Sequence, residues 1–223
     1  MTIQWYPGHM HKAQKEIKQA LPKVDLVMEV VDARIPYSSS NPMVEAFIAQ
    51  SEKIIPVIRL MNKRDLADPI ITDLWHDFFQ QKDNHRSLAI SCKQPEQVKK
   101  INQLCHQLLP DFKAKEKPIK AMIMGIPNVG KSSIINILSG RTIAKVGNEP
   151  AVTKRQQRID LDNGIILFDT PGFLWPKIEN EHSSYRLAIT GAIKDTVLAY
   201  DDLAFYALEY LIQYYPDILM QHF

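Results

Sequence analysis

Residues 62–65 read NKRD and residues 125–132 read GIPNVGKS. The second stretch fits the spacing G-x-x-x-x-G-K-[ST]. IKAMIM before it has the character of a buried strand, and SSIINIL after it that of a helix. In such a setting Gly125 and Gly130 let backbone N–H groups approach phosphate oxygens without a Cβ in the way. Lys131 would neutralise the β and γ phosphates and act in catalysis, and Ser132 would offer its hydroxyl to Mg2+. The expected phosphate-holding set is Asn128, Val129, Gly130, Lys131, Ser132 and Ser133.

NKRD follows the apolar run IIPVIRLM and has the composition of a guanine-selective pocket. The two oxygens of Asp65 match the adjacent N1–H and 2-amino donors of guanine. Adenine would leave a buried carboxylate there poorly satisfied. Asn62 would bond the base or tie neighbouring loops together, and Lys63 would lay its alkyl stem along the purine. In SCK, residues 91–93, a backbone N–H from Ser91 or Cys92 would reach guanine O6. Downstream, DTPG (169–172) ends the strand IILF. Asp169 is expected to hold Mg2+ through water, and the Gly172 N–H to meet the γ-phosphate. Thr153, in the intervening polar loop, would add an oxygen ligand to Mg2+. A guanine-nucleotide domain ordinarily runs phosphate loop, Mg2+ threonine, DxxG, NKxD, SAK-like loop. This chain runs NKRD, SCK, GIPNVGKS, Thr153, DTPG, which is one cyclic rotation of that order. A sheet with neighbouring termini can be cut and rejoined without moving its sites.

The rest of the chain is consistent with that fold. VDLVMEVV, KIIPVIRLM, SLAIS, IKAMIMG and GIILFD are apolar runs of strand length, and PMVEAFIAQ, ITDLWHDFFQQ, PEQVKKINQLCHQLL and KSSIINILSG between them are helical patterns. The alternation predicts an α/β fold with a mostly parallel sheet covered on both faces. GNEPAVTKRQQ is expected to form a loop and KAKEKP an exposed connection. RLAITGAI and DDLAFYALEYLIQYY predict a small C-terminal helical appendage, dividing the chain into a GTPase domain over 1–178 and a helical segment over 179–223. The 223 residues carry a net charge of +2, so the whole chain is no polycation. Lysines nonetheless crowd the N-terminal segment (Lys12, Lys15, Lys18, Lys23), residues 93–120, and Lys145, Lys154, Arg155 and Arg158. Such clusters are either solvated faces or a footprint for an RNA backbone. No apolar stretch approaches a bilayer span, the N-terminus has no signal core, and ILMQHF has no cysteine to prenylate. Two cysteines, Cys92 and Cys105, suggest no disulfide framework and a cytoplasmic setting.

The rotated order, WYPGHMHKA, DARIPYSSSNP, GIPNVGKSS, GNEPAVTK, DTPGFLWPK and RLAITGAIKD together resemble the circularly permuted ribosome biogenesis GTPase A family over essentially the whole chain. The resemblance implies GTP hydrolysis during maturation of the large ribosomal subunit, with Mg2+ and K+, and GTP/GDP, the subunit and its rRNA as partners. A monomer with no membrane attachment is expected. Where the family has Gly before Val-Thr this chain has Ala151, and family members usually continue further at the C-terminus. In Ras-like enzymes a Gln after DxxG orients the attacking water; here Phe173, Leu174 and Trp175 follow, and none can do so by hydrogen bonding. Hydrolysis is therefore expected to be slow alone and stimulated by ribosomal particles, or negligible in a nucleotide-responsive binding module. By resemblance His9, in the PGHM turn, is the recruited catalytic group, with Pro7 and Gly8 letting the turn bend toward the phosphates. Also by resemblance, Asn128 helps to hold K+. Arg34 and Arg155 are alternatives to a cation at the phosphoryl group, and a trafficking or RNA-modifying GTPase fits the motif order and composition less well.

Overall fold

A computed structural model describes residues 6–114, 116–144, 157–193 and 199–222; Ala151, Thr153, Lys154 and Arg155 lie outside the described residues. The strands are β1 (Leu26–Asp32), β2 (Val57–Asn62), β3 (His85–Ala89), β4 (Ile119–Gly125), β5 (Gln157–Asp160) and β6 (Ile165–Asp169). The helices are α1 (Gly8–Ala20), α2 (Pro36–Ser39), α3 (Pro42–Ala49), α4 (Pro69–Gln80), α5 (Pro95–Leu108), α6 (Pro110–Ala114), α7 (Lys131–Ser139), α8 (Glu181–Ile189), α9 (Tyr200–Tyr214) and α10 (Pro216–His222). No described helix is long and apolar enough to cross a membrane.

The strands form one sheet in the order β3-β2-β1-β4-β6-β5. Every pairing is parallel except the edge pair β5–β6. From β1 the chain steps outward through β2 to β3. It then returns to the other side of β1 as β4, reaches the far edge as β5 and comes back between the two as β6. The strand order thus reverses direction between β1 and β4, and the crevice outside the carboxyl ends of two such strands is where open α/β sheets bind ligands. All seven residues of β1 are buried, as its apolar run predicts.

β5, α1 and the short helices α2 and α6 fall outside the sequence reading. β5 begins within the stretch read as loop; only Ile159 of its four residues is buried, so it carries no apolar run. Helix α1 turns Met10, Ala13 and Ile17 inward, and its outer positions carry His11, Lys12, Lys15 and Lys18. Met10 and Ile17 are fully buried, which makes the seating of α1 worth several kcal/mol at about 1.5–3 kcal/mol per large apolar side chain. The C-terminal helices share this core. Leu187 and Ala188 of α8, then Ala192 and Ile193, pack into the cluster formed by the sheet, and Ser38 Oγ of α2 donates to Ser183 Oγ of α8 at 3.0 Å.

Inside β1 and β2 lies an ionic pair that the apolar runs conceal. Glu29 and Arg59 are register partners, and Arg59 Nε donates to Glu29 Oε2 at 2.8 Å with both side chains almost fully buried. The Asn41 N–H donates to the other oxygen of Glu29 at 2.9 Å. The Arg59 guanidinium also reaches Glu45 Oε1 at 2.7 Å and lies 4.5 Å from the centroid of the Phe79 ring. With each charge met by several partners the desolvation penalty is offset, but removing one partner strands the other. Glu29→Ala should therefore lower the unfolding free energy by about 3–5 kcal/mol, measured by urea denaturation.

The network also sets an acid dependence. Burial pushes the Glu45 carboxyl up, but hydrogen bonds from Arg59 and Lys82 outweigh it and hold the group at about 2, against an ordinary 4.5. Since the folded state lowers this pKa, the stabilisation is complete above the ordinary value and is lost as pH falls from there through about 2. Glu45→Gln should flatten the stability–pH curve over that window and leave its slope near neutrality unchanged.

Candidate nucleotide site

The site is assembled at the carboxyl ends of β4, β2 and β6. β4 runs into the phosphate loop, and Lys131 opens α7 behind Gly130, whose φ of +99° places it in the left-handed region. No side chain caps this helix, and an uncapped helix N-terminus that follows such a loop is an arrangement that receives phosphate. Asn128 is also left-handed, at φ +56°. Its Nδ2 donates to the Gly191 carbonyl at 2.7 Å, tying the loop to the turn after α8. The Lys131 ammonium is buried and donates to the carbonyls of Gly125 (3.2 Å) and Ile126 (3.1 Å). Burial draws its pKa down to about 8, while Asp169 pulls the other way.

DTPG lies directly beside this lysine. A Cβ on Gly172 would stand 2.9 Å from Pro127 Cα and 3.1 Å from Lys131 Nζ, so only glycine lets the two loops approach this closely. Asp169 is buried at the end of β6, and both its carboxylate oxygens lack a hydrogen-bond partner among the described residues. Burial raises its pKa to about 6, and the charge of Lys131 restrains the rise. The next residue but three, Phe173, is fully buried. Its ring stacks on Phe47 at 6.3 Å, its N–H donates to the Gly125 carbonyl, and its carbonyl accepts from Asn41 Nδ2 at 3.0 Å. It is thus a core side chain, held away from any attacking water.

NKRD joins this assembly through Asn62. Its Nδ2 donates to the Val129 carbonyl at 2.8 Å, and its Oδ1 accepts from Cys92 Sγ at 3.4 Å. Of the two roles open to it, Asn62 therefore ties the loops. Lys63, in the left-handed region at φ +64°, has its ammonium 2.9 Å from Asp32 Oδ2. The Asp65 side chain accepts from Ser91 Oγ at 2.7 Å and pairs with Lys93 at 2.7 Å, and both contacts pull its pKa below the usual carboxylate range. Contrary to the sequence expectation, Asp65 is an exposed residue, because it sits in the short 3-10 turn Arg64–Leu66 that leaves β2. Of the SCK backbone donors, the Ser91 N–H is engaged by Gln97 Oε1 and the Lys93 N–H by Ser91 Oγ.

DARIPYSSSNP proves to be a brace between strands. Asp32 accepts two bonds from the Arg34 guanidinium, at 2.9 and 2.7 Å. Burial alone would raise the Asp32 carboxyl, but Arg34 and Lys63 hold it below the usual range. Arg34 is thereby committed to Asp32 and is not positioned as a mobile finger. Asn41 caps α3 through Met43 N–H and bonds Phe173 at the same time. The double role of Asn41 and the buried Asp32 were legible only as turn chemistry, since their partners lie on other segments.

His9 is exposed in the first turn of α1. Desolvation lowers its pKa from the usual histidine value. Gly8 begins that helix, and a Cβ there would meet nothing within 4 Å, so the turn does not depend on glycine for space. α1 does border the DTPG segment, because the Leu174 N–H donates to Met10 Sδ at 3.4 Å.

A phosphate loop between β4 and α7, a switch-type DTPG on the neighbouring strand and an NKRD turn earlier in the chain define a circularly permuted P-loop GTPase. Residues 120–214 match the family model described as 50S ribosome-binding GTPase. The chain is 46% identical over 231 residues to ribosome biogenesis GTPase A of Priestia megaterium (strain DSM 319 / IMG 1521), covering 100% of this chain and 78% of that protein. To the protein of the same name from Thermotoga maritima it is 37% identical over 191 residues, covering 86% of this chain and 66% of that one. The crystal structure of GNP-bound YlqF from T. maritima superposes with a TM-score of 0.65 at 29% identity, covering 91% of this chain and 75% of that chain. The chain belongs to the ribosome biogenesis GTPase A family and is a GTP-hydrolysing enzyme.

The notch at Gly130 supplies a direct test. A Cβ there would fall 2.2 Å from Asn62 Nδ2 and would be forced to a positive φ. Gly130→Ala should cost about 1–3 kcal/mol of stability and more than tenfold in GDP affinity, read by thermal unfolding and calorimetry.

Proposed function

We propose that this GTPase acts in the cytoplasm, as a monomer, on the assembling large ribosomal subunit, and that GTP orders the loop of Thr153 and the DTPG turn until hydrolysis releases them. The observation that carries the reading is the bond between Asn62 and the Val129 carbonyl, which sets the base-recognition turn against the phosphate loop. In this reading Asp65 chelates the guanine edge, with Ser91 holding one oxygen, and Lys93 leaves the other when nucleotide enters. The Cys92 N–H meets O6, and Lys63 covers the purine. The N–H groups of Asn128 to Ser133 and of Gly172 surround the phosphates, and Lys131 moves from its loop carbonyls to the β and γ oxygens.

Two unpartnered, buried oxygens on Asp169 fit a hydrated divalent cation. No three His, Cys, Asp or Glu side chains converge as a cage among the described residues, so Ser132, Thr153 and phosphate oxygens would complete the shell around Mg2+. Mg2+ supplies charge neutralisation at the phosphoryl group. Asn128 would offer its side-chain oxygen to K+. A division at residue 178 would set the nucleotide-handling body apart from the C-terminal segment, whose Leu187, Ala188, Ala192 and Ile193 pack into the same core.

With Phe173 committed to the core, another group must orient water, and His9 at the head of α1 is the candidate. The assembly role rests on the family and on the lysine-rich α1. Turnover should be slow alone, rise when purified large subunits are added, and be higher in K+ than in Na+. An unchanged rate with subunits would remove the assembly reading. Asp65→Asn should weaken GDP binding at least tenfold without creating ADP binding, by competition calorimetry. His9→Ala should abolish the stimulated rate while GDP affinity stays within twofold; retention of stimulation would exclude His9.

A further inference from the structure

A cleft of about 620 Å3 opens between the end of α1 and the end of α3, on a part of the surface not used by the nucleotide site. Leu21, Pro22 and Phe47 line it, and Lys18, Lys53 and Glu52 lie among its walls. The lysines do not stand alone. Lys12, Lys15 and Lys23 are exposed along α1 and the turn after it, and the single acidic residue of α1, Glu16, is 4.0 Å from Lys12. Lys53 also lies 3.7 Å from Asp25, a pair that solvent screens because both side chains are partly exposed. A cleft with an apolar floor and Lys18 and Lys53 on its walls has the chemistry to take a nucleic-acid strand, whose phosphates meet the ammonium groups while a sugar or base covers the floor.

The floor also leads inward. Lys18 lies 5.3 Å over the Phe47 ring, and that ring stacks on Phe173, the residue after Gly172. Asn41, the cap of α3, is bonded to the Phe173 carbonyl. A strand seated in the cleft would therefore press on the helix that holds the end of the DTPG turn.

We propose that the α1–α3 cleft is a docking surface for the phosphodiester backbone of RNA, with Phe47 and Asn41 linking it to the DTPG turn. This rests on the reading of the protein as a ribosome-assembly GTPase and identifies where on its surface the RNA sits. The test uses the full chain, protein-free large-subunit rRNA and purified large subunits. Lys18→Glu with Lys53→Glu should bind the rRNA at least tenfold more weakly and reduce the slope of log affinity against log salt by about 2, with GDP affinity within twofold. Lys18→Gln with Lys53→Gln should give an intermediate loss. Lys99→Glu with Lys100→Glu, an equal charge change on the exposed face of α5, should stay within threefold of wild type. Equal losses from both charge-reversed pairs would mean diffuse attraction and overturn the proposal. So would a loss seen with intact subunits and not with protein-free rRNA, which would assign the cleft to a protein. If wild type binds and the cleft variants bind as well, the cleft fails while the assembly reading stands. If wild type binds neither rRNA nor subunits, the assembly reading fails first.

Discussion

The Asn62 side chain occupies the space that a Cβ on residue 130 would fill, and from there it donates to the Val129 carbonyl. This contact joins two segments 67 residues apart, and the proposed nucleotide site rests on it. Were it lost, the base-selecting turn and the phosphate loop would each keep their local conformation but not their spacing. A nucleotide has a fixed length from base to phosphate, so a shift of about 1 Å between the two halves is enough to impair positioning. The contact also explains why the chain order can be rotated at all. What must be conserved is the juxtaposition of strand ends, and β1 paired with both β2 and β4 supplies that whichever end of the chain comes first.

The sheet beneath the site is held by more than apolar burial. A Glu–Arg pair in adjacent strands costs several kcal/mol per ion to desolvate, and hydrophobic replacements of equal volume are often neutral or better. Here the pair has added links that an apolar pair would lack. Glu29 receives the Asn41 N–H, and Asn41 in turn caps α3 and bonds Phe173. The buried charge thus fixes the register of β1 against β2 and the position of the helix that supports the DTPG segment. Its contribution is to specificity of arrangement as much as to stability.

Much of this was legible in the sequence, for a definite reason. The motifs are short, and each lies where a strand meets a loop, so apolar runs ending in NKRD, GIPNVGKS and DTPG gave the sheet, its parallel character and the order of the site. What escaped were features whose partners are distant. α1 reads as a polar segment because its apolar positions, 10, 13 and 17, are separated by charges, and its start at Pro7 has no side-chain cap. The bond from Leu174 to Met10 spans 164 residues and has no local signature. β5 escaped because an edge strand with one buried residue carries no apolar run. The pairing of Lys93 with Asp65 depends on the fold of two loops, and the exposure of Asp65 follows from a 3-10 turn that the four letters NKRD do not encode.

The burial of Phe173 then bears on how hydrolysis is controlled. The side chain at that position lies in the core against Phe47, so a polar residue there would be buried with it. The Phe173 ring packs on Phe47, and its backbone N–H bonds the Gly125 carbonyl. In the proposed reading, water orientation is separated from nucleotide binding, and the polar group comes from another element. α1 has the required properties. It is joined to the next residue, Leu174, through Met10, its inner face is apolar, and its outer face is a row of lysines. A helix seated by three apolar side chains has enough stability to persist, yet an anionic partner acting on several ammonium groups at once can contribute comparable free energy. In the proposed reading, an anionic partner on that outer face would bear on the position of the group at the helix's N-terminus.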